Sequence, residues 1–480
     1  MATKKDLVEA YSFSRRRLVT AFVSGAPGGR EVEPARPGRT IVGGVALAVL
    51  LAAGAAIAGV FSPTAPSDWK KQGLIISKDT GSAYVIVDDS DDPELRPVIN
   101  STSAKLILGA DAEPMLVAQD TIDEQRIGDD IGIFGAPASV PTPGLLIDTG
   151  WTACTAPEAG IRVRVSETSD VTPVPETGVT VTNGGEFFAV LPTADPGLRG
   201  GDDRGAYVFQ VPPQGATGDQ TDNLLSALEL QTTSDAIPVS REWINLFPTG
   251  APLTWNSFGI AAPGQTPTYA AQDPTGVLQD KVVGDLLVVG ERDLLLTDTG
   301  PVELSDFAAT VYRNVVNPDN RVVTPKPVDV APRVPRRTQT LLDQTRWPAV
   351  VPQGHVGEPC AQLTTEHGET PVVQLVAPGE RTGAEDLPAG VKEPLVESGR
   401  GAYVLSGGWA DTDQGSPFII DSKGRANPLV GDDAAEKLGY GSYPVVVVPD
   451  TWVKLFGCGV NLSRAAALSP PTEADDSGCE

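Results

Sequence analysis

Histidine and cysteine are scarce: 480 residues hold only His355 and His367, and only Cys154, Cys360, Cys458 and Cys479. So few nitrogen and sulfur donors leave little with which to hold a transition metal. The two histidines stand in a Gly/Pro-rich segment, a poor setting for a triad base, and read as exposed loop residues. Aromatic residues make up 6%, too few for a concentrated binding platform. No G-x-x-x-x-G-K-[ST] stretch is present to cradle nucleotide phosphates, and no G-x-S-x-G nucleophile elbow. Basic side chains are outnumbered 36 to 62, a net charge of −26 that repels nucleic-acid phosphates. No residue is therefore assigned a catalytic, cofactor-binding or metal-binding role.

Glycine (51) and proline (43) are abundant instead, and 40% of residues are hydrophobic, which together favour a globular chain of short strands and turns. Charge is unevenly placed. Residues 1–40 hold eight basic and four acidic side chains, and the remainder is correspondingly more acidic, near −30. Between these parts, Ile41 to Phe61 is a run of 21 uncharged residues. At 1.5 Å per residue it spans about 31 Å, enough for the hydrocarbon core of a bilayer. Basic residues on its N-terminal flank place residues 1–40 in the cytoplasm and the acidic bulk outside. A cleaved signal is the rival, given Ala56-Ile57-Ala58 and the arginines at Ser14-Arg15-Arg16-Arg17-Leu18. Those arginines lie 24 residues before the run, however, whereas export signals keep the two parts adjacent. The run is read as a retained anchor with ends at Ile41 and Phe61. All four cysteines follow it, in a compartment that permits disulfides, and counting alone leaves three pairings open.

Ahead of the anchor, Thr3 and Asp6 fit a helix start, and Leu7, Tyr11, Ser14, Leu18 and Phe22 recur at helical spacing beside Arg15, Arg16 and Arg17. This predicts an amphipathic helix that docks in the cytosol, lies on anionic lipid, or merely fixes topology. Beyond Pro63, Ala83–Val87 reads as a strand followed by an acidic turn, and Ala104–Leu108 as a short helix. Two proline-rich stretches read as linkers, Pro263–Gly276 and the segment holding Pro318, Pro325, Pro327, Pro332 and Pro335. The second carries Arg321, Lys326, Arg333, Arg336 and Arg337, a basic island read as solvated. Residues 470–480 are acidic and read as a disordered tail.

Three Asp-Thr-Gly tripeptides begin at Asp79, Asp148 and Asp298. Paired loops of this kind form the carboxylate dyad of aspartic proteases, but Asp and Gly are also ordinary hairpin-turn residues, and the turn reading is preferred. The chain also echoes itself. Arg204-Gly205-Ala206-Tyr207-Val208 returns at Arg400–Val404, and Trp243-Ile244-Asn245-Leu246-Phe247 is answered by Trp452-Val453-Lys454-Leu455-Phe456. Gly250 and Leu253 match Gly459 and Leu462, while Cys154 and Cys360 lie 206 apart. These offsets, near 200 residues, predict a duplication.

In order along the chain stand Ala10-Tyr11-Ser12-Phe13-Ser14-Arg15-Arg16-Arg17, Ala83-Tyr84-Val85, Ile131-Gly132-Ile133-Phe134-Gly135-Ala136-Pro137 and Trp151-Thr152-Ala153-Cys154. Later come Leu246-Phe247-Pro248-Thr249-Gly250-Ala251-Pro252-Leu253, Glu358-Pro359-Cys360 and Leu462-Ser463-Arg464-Ala465-Ala466-Ala467. This series resembles the EccB family, a membrane component of the type VII (ESX) secretion system of mycobacteria and other actinobacteria. Phe134 stands in place of an expected proline, Gly457-Cys458-Gly459 replaces a proline-containing turn, and Cys458 and Cys479 are additions.

The resemblance implies an α+β fold: one transmembrane helix, then an elongated extracytoplasmic part with four small repeat domains around a central β-rich domain, related by a pseudo-two-fold. The expected segments are 1–40 cytosolic, 41–61 transmembrane, repeats at 68–128, 196–262, 277–316 and 396–469, and a central domain at 129–195 and within 317–395. The implied role is a non-enzymatic structural subunit for protein export across the inner membrane. The alternatives are an ATP hydrolase of that complex or a stand-alone peptidoglycan-binding module. Implied partners are EccC, EccD, EccE, the mycosin protease and a second copy within a hexameric complex, with peptidoglycan a further contact and no cofactor. Because Cys154 and Cys360 both lie outside and occupy matching places in the two halves, a disulfide between them is expected, with Cys458–Cys479 as the remaining pair. Trp243 and Trp452 are expected in equivalent surroundings, and Gly250 and Gly459 at backbone angles that suit only glycine.

Overall fold

The computed structural model describes residues 3–24, 68–194, 204–213, 219–315, 323–336, 341–354 and 357–472, with 44, 47–49, 51 and 66 as isolated positions. Residues 1–64 and 65–480 are separate units. In the first, helix α1 (Lys4–Ser24) opens where the Asp6 carboxylate accepts from the Thr3 backbone N–H at 3.0 Å and its hydroxyl at 2.7 Å. These bonds hold the carboxyl below its usual range and satisfy a donor that the helix itself leaves unpaired. Leu7, Tyr11, Leu18 and Phe22 are exposed along it. Most of Ile41–Phe61 lies outside the described residues, and no helix among the described residues is long and apolar enough to cross a membrane.

The second unit is α+β. Strands β1 (Gly73–Ser77), β2 (Ala83–Ile86) and β3 (Glu94–Pro97) form an antiparallel meander. Helix α2 (Ser101–Leu108), capped by Asn100, then carries the chain back so that β4 (Pro114–Val117) pairs parallel to β1. After α3 (Gln119–Asp123), β5 (Arg126–Ile127) lies parallel to β3, giving the order β4-β1-β2-β3-β5. Next come β6 (Trp151–Cys154), β7 (Ile161–Val165) and β8 (Val171–Pro173). A second sheet follows from β9 (Val179–Asn183), β10 (Glu186–Ala194), β11 (Arg204–Gln210) and β12 (Ile237–Pro238), with α4 (Asp219–Ala227) between the last two and α5 (Arg241–Ile244) after them. A third has β13 (Leu286–Val289), β14 (Arg292–Leu296), β15 (Pro301–Leu304), α6 (Asp306–Asn314) and β16 (Lys326–Pro327), followed by α7 (Leu341–Thr345). Then β17 (Cys360–Thr364), β18 (Val372–Pro378) and β19 (Lys392–Val396) join β6, β7 and β8 in a six-stranded sheet of order β19-β7-β6-β17-β18-β8. The fourth sheet, counted apart from the six-stranded one, contains β20 (Ala402–Gly407), β21 (Ser416–Ile420), β22 (Arg425–Pro428), β23 (Val446–Pro449) and β24 (Gly457–Cys458), with α8 (Ala434–Lys437), α9 (Asp450–Val453) and α10 (Arg464–Ala467).

Four of the five sheets share one plan: three antiparallel strands, a helix, and a fourth strand parallel to the first at the sheet edge. Three add a closing arm on the third strand. Gly128, Gly250 and Gly459 donate their N–H to Leu95, Val208 and Ala426, and Ile131, Leu253 and Leu462, three residues on, donate to Pro97, Gln210 and Pro428. One core joins the six-stranded sheet to the second and fourth sheets. A second core joins the second sheet to the third, and another joins the first to the fourth. In β7 the sequence I-R-V-R-V sends Ile161, Val163 and Val165 into the central core and turns Arg162 and Arg164 to the opposite face.

Several expectations are corrected by this arrangement. The Arg-Gly-Ala-Tyr-Val copies are not equivalent: one lies in β11, a third strand, the other enters β20, a first strand. The Trp copies are better matched. Each is the third residue of a short helix after the parallel return strand and is fully buried in the same core. Their indole N–H groups nonetheless find different acceptors, Ala153 for Trp243 and Leu246 for Trp452. Gly250 and Gly459 are not at positive φ. Space demands them: a Cβ on Gly250 would stand 2.1 Å from the Phe209 ring, and one on Gly459 would stand 2.4 Å from Asn427 Oδ1. The boundary drawn between 195 and 196 runs between β10 and β11, which pair along their length in one sheet.

Neither proline-rich stretch is a free linker where it is described. Within 263–276, Tyr269 is buried and donates to Thr297 O, and Gly264 bonds Val283. In the second stretch Lys326–Pro327 is itself a strand, Lys326 pairs with Asp285 at 2.7 Å, and Arg336 pairs with Glu303 at 3.1 Å. Pro327 sits on the edge strand of the third sheet, a position where a missing N–H donor is tolerated. Arg321, Arg337, His355, Cys479 and the tail from 473 lie outside the described residues.

Candidate functional site: the seam of the six-stranded sheet

At the centre of the largest sheet, β6 and β17 run antiparallel, with Trp151 opposite Leu363 and Cys154 opposite Cys360. The two cysteines are joined by a disulfide across 206 residues and are buried with Val376. The bond closes the sheet exactly where the two distant halves of the chain meet edge to edge. Cys458 is also disulfide-bonded.

One end of this seam is fastened to the fourth sheet. Asp148, three residues before β6, accepts from the Tyr443 hydroxyl at 2.5 Å through Oδ2, while its Oδ1 is buried and bonds no described residue. Desolvation outweighs the stabilising hydrogen bond, so the Asp148 carboxyl is raised to about 6, and burial likewise raises Tyr443. The Asp148 carbonyl accepts from Thr365 Oγ1, and His367 Nδ1 lies 2.8 Å from Val445 O, tying the β17–β18 turn to the same loop. Asp148 is thus more than a turn residue, because its side chain crosses to another sheet. The other two Asp-Thr-Gly carboxylates serve local backbone: Asp79 accepts from Gln119 N, and Asp298 from Ala261 N and Ala262 N. The three loops belong to three sheets, and no two are brought together as a dyad by these contacts.

On the opposite face of the sheet, Arg162 gathers the loop before β19. It donates to the Gly383 carbonyl, to Asp386 at 3.0 Å and to Glu393 at 2.6 Å, and these carboxylates raise its already high pKa. The carboxyl groups of Glu358 and Glu385 are paired with each other. Burial raises Glu358, and its hydrogen bond to Glu385 adds to the shift. Arg162 and Tyr443 escaped the reading of the sequence. The alternation of β7 was the one available signal for Arg162, whereas nothing local marks Tyr443, whose partner is 295 residues away.

Comparison with known proteins gives this geometry a family. The family model described as type VII secretion system ESX-1, transport TM domain B, matches residues 1–472. The chain is 26% identical over 456 residues to the ESX-1 secretion system ATPase EccB1 of Mycolicibacterium smegmatis, covering 90% of this chain and 87% of that protein. It is 26% identical over 484 residues to the ESX-3 secretion system ATPase EccB3 of Mycobacterium tuberculosis, covering 91% and 84%. Among solved structures, a chain of an intact ESX-5 inner membrane complex has a TM-score of 0.60 at 21% identity, covering 99% of this chain and 96% of that one. The EccB3 dimer from the ESX-3 core complex has a TM-score of 0.61 at 20% identity, covering 83% and 100%. On the family match across nearly its whole length, this chain belongs to the EccB family of the type VII secretion system.

Proposed function

We propose that the chain is a structural subunit of a type VII secretion inner-membrane complex and takes part in protein export through it. The family match from residue 1 to residue 472 carries this reading, because it includes both the basic N-terminal segment and the large acidic part. Ile41–Phe61 is the single membrane span, with α1 in the cytoplasm and residues 65–480 on the extracytoplasmic side. The cross-seam disulfide supports that side, since such bonds persist in oxidising compartments. We read the four like-built sheets as four repeat domains about the six-stranded central one, related in pairs by a pseudo-two-fold. Their bounds follow the 68–128 and 396–469 segments, with the second extended back to β9 and the third extended on to β16. EccC, EccD, EccE, the mycosin protease and a second copy are the partners, and peptidoglycan is a further contact.

Relatives bear the name ATPase, which makes nucleotide hydrolysis the alternative. Isolation of the complex through a tag on this chain tests the structural reading. EccC, EccD and EccE should co-purify, and a chain recovered alone would overturn it. Purified chain that turns over ATP without those subunits would favour the alternative. Protease added to intact spheroplasts should digest the large part and spare a small N-terminal fragment. A mature chain that begins near Gly59 would refute the anchor.

A further inference from the structure

In each like-built sheet the fourth strand forms one edge, and the four edges are treated differently. The edge of β12 is met by Glu158, whose N–H donates to Pro238 O, and β23 is buried along its length. β16 is blunted by Pro327 and by Lys326 in its ion pair with Asp285, two devices that discourage edge pairing. β4 carries Pro114 at its first position, but beyond it no ion-paired residue and no covering contact from a described residue. Its sequence is Pro-Met-Leu-Val, and Leu116 is 53% exposed.

The orientation of that edge follows from one hydrogen bond. Val117 O accepts from Lys78 N at the end of β1, so Met115 and Val117 direct their backbone groups toward β1. Leu116 N–H, Leu116 C=O and Pro114 C=O therefore point outward, and no described residue bonds them. They are the three main-chain groups that an added strand would use.

The loop that leads into β4 lines a groove of about 670 Å³, formed by Leu108–Ala112 against Glu436, Lys437, Gly439, Gly441 and Ser442 of the fourth sheet. Charge along this edge has one sign. Between Gly109 and Glu124 stand Asp111, Glu113, Asp120, Asp123 and Glu124, all exposed, with no Lys or Arg among them. Lys78 adjoins Val117 and Lys437 lines the groove. A second copy pairing here would set these carboxylates against their own kind.

We propose that the outer edge of β4, together with the groove at its N-terminal end, is a docking site for an extended basic peptide segment that adds a strand to the first sheet. The main chain of that segment bonds Pro114 and Leu116, an apolar side chain lies on Leu116, and its Lys or Arg side chains face Asp111 and Glu113. This site is independent of the export role.

The test is selection of a random 12-residue peptide library on the full-length chain in nanodiscs, with affinities then measured by fluorescence anisotropy. Recovered peptides should alternate apolar residues and carry Lys or Arg. Leu116→Pro deletes the outward donor without touching a β1–β4 bond and should weaken binding about tenfold, the worth of one good hydrogen bond. N-methylation of alternate peptide amides should abolish binding, a control that leaves the protein unaltered. Asp111→Asn with Glu113→Gln should weaken binding and flatten its salt dependence. Acidic peptides, no recovered peptide, or binders indifferent to both Leu116→Pro and N-methylation would overturn the proposal. So would a dimer of the peptide-free chain that Leu116→Pro dissociates, because the occupant would then be a second copy.

Discussion

Replacing Asp148 by Asn should remove a pH dependence that the wild-type chain carries at its central seam. Asp148 gives up solvation and receives only the Tyr443 hydroxyl in return, so its carboxyl rises from 3.8 to about 6. A folded-state pKa raised above the unfolded value means that stability is fully present below pH 3.8 and is lost as pH climbs through about 6. Two pKa units correspond to about 3 kcal/mol at most, and partial solvent access reduces this to about 1–2 kcal/mol. The Asp148→Asn side chain is neutral throughout and can still accept from Tyr443. The variant should therefore match the wild type near pH 4 and exceed its stability by that amount at pH 7.5. Other carboxylates titrate over the same range, so the readout is the difference between the two stability–pH curves, measured by denaturant unfolding with tryptophan fluorescence. Tyr443→Phe removes the one bond that favours the ionised form and should push the transition to higher pH. Parallel curves for wild type and Asp148→Asn from pH 4 to 7.5 would show that Asp148 is solvated, and the seam argument would fail.

Reduction of the Cys154–Cys360 bond releases a 206-residue loop, worth about 5 kcal/mol in the chain-entropy model, so the melting temperature should fall markedly under reductant. An unchanged melting temperature in protein shown to be reduced would count against this. Gly250→Ala and Gly459→Ala should each cost about 1–3 kcal/mol through the crowding of Phe209 and Asn427, although neither glycine has an unusual φ. Gly290→Ala, at φ 63° with open space around it, should be milder, and thermal melts would rank the three. Trp452→Ala empties a fully buried site in the core shared by three sheets and should cost about 3–5 kcal/mol. A loss below 1 kcal/mol there would mean that the site collapses freely.

By itself the sequence determined what depends on local pattern and on totals. The Ile41–Phe61 run, the basic flank, the helix start at Thr3, the strand at Ala83 and the helix ending at Leu108 follow from hydropathy, charge and capping, properties that neighbours along the chain settle among themselves. The ordered motifs likewise identified the family, since each reports a local turn or packing need. Tertiary structure decided the rest. Which copy of Arg-Gly-Ala-Tyr-Val became a first strand and which a third depended on pairing with β10 or β21, not on the five residues. Pro327 gained a strand partner, and Lys326 and Arg336 their ion pairs, only because the third sheet offered β13, Asp285 and Glu303. Gly250 and Gly459 are required by a ring and an amide from strands some 30 to 40 residues away, a spatial demand that backbone angles do not record. Asp148 is written as a turn residue and becomes a buried contact because Tyr443, 295 residues on, arrives beside it. Burial and partner choice are set by what the whole fold brings together, so a single stretch of sequence carries no trace of them.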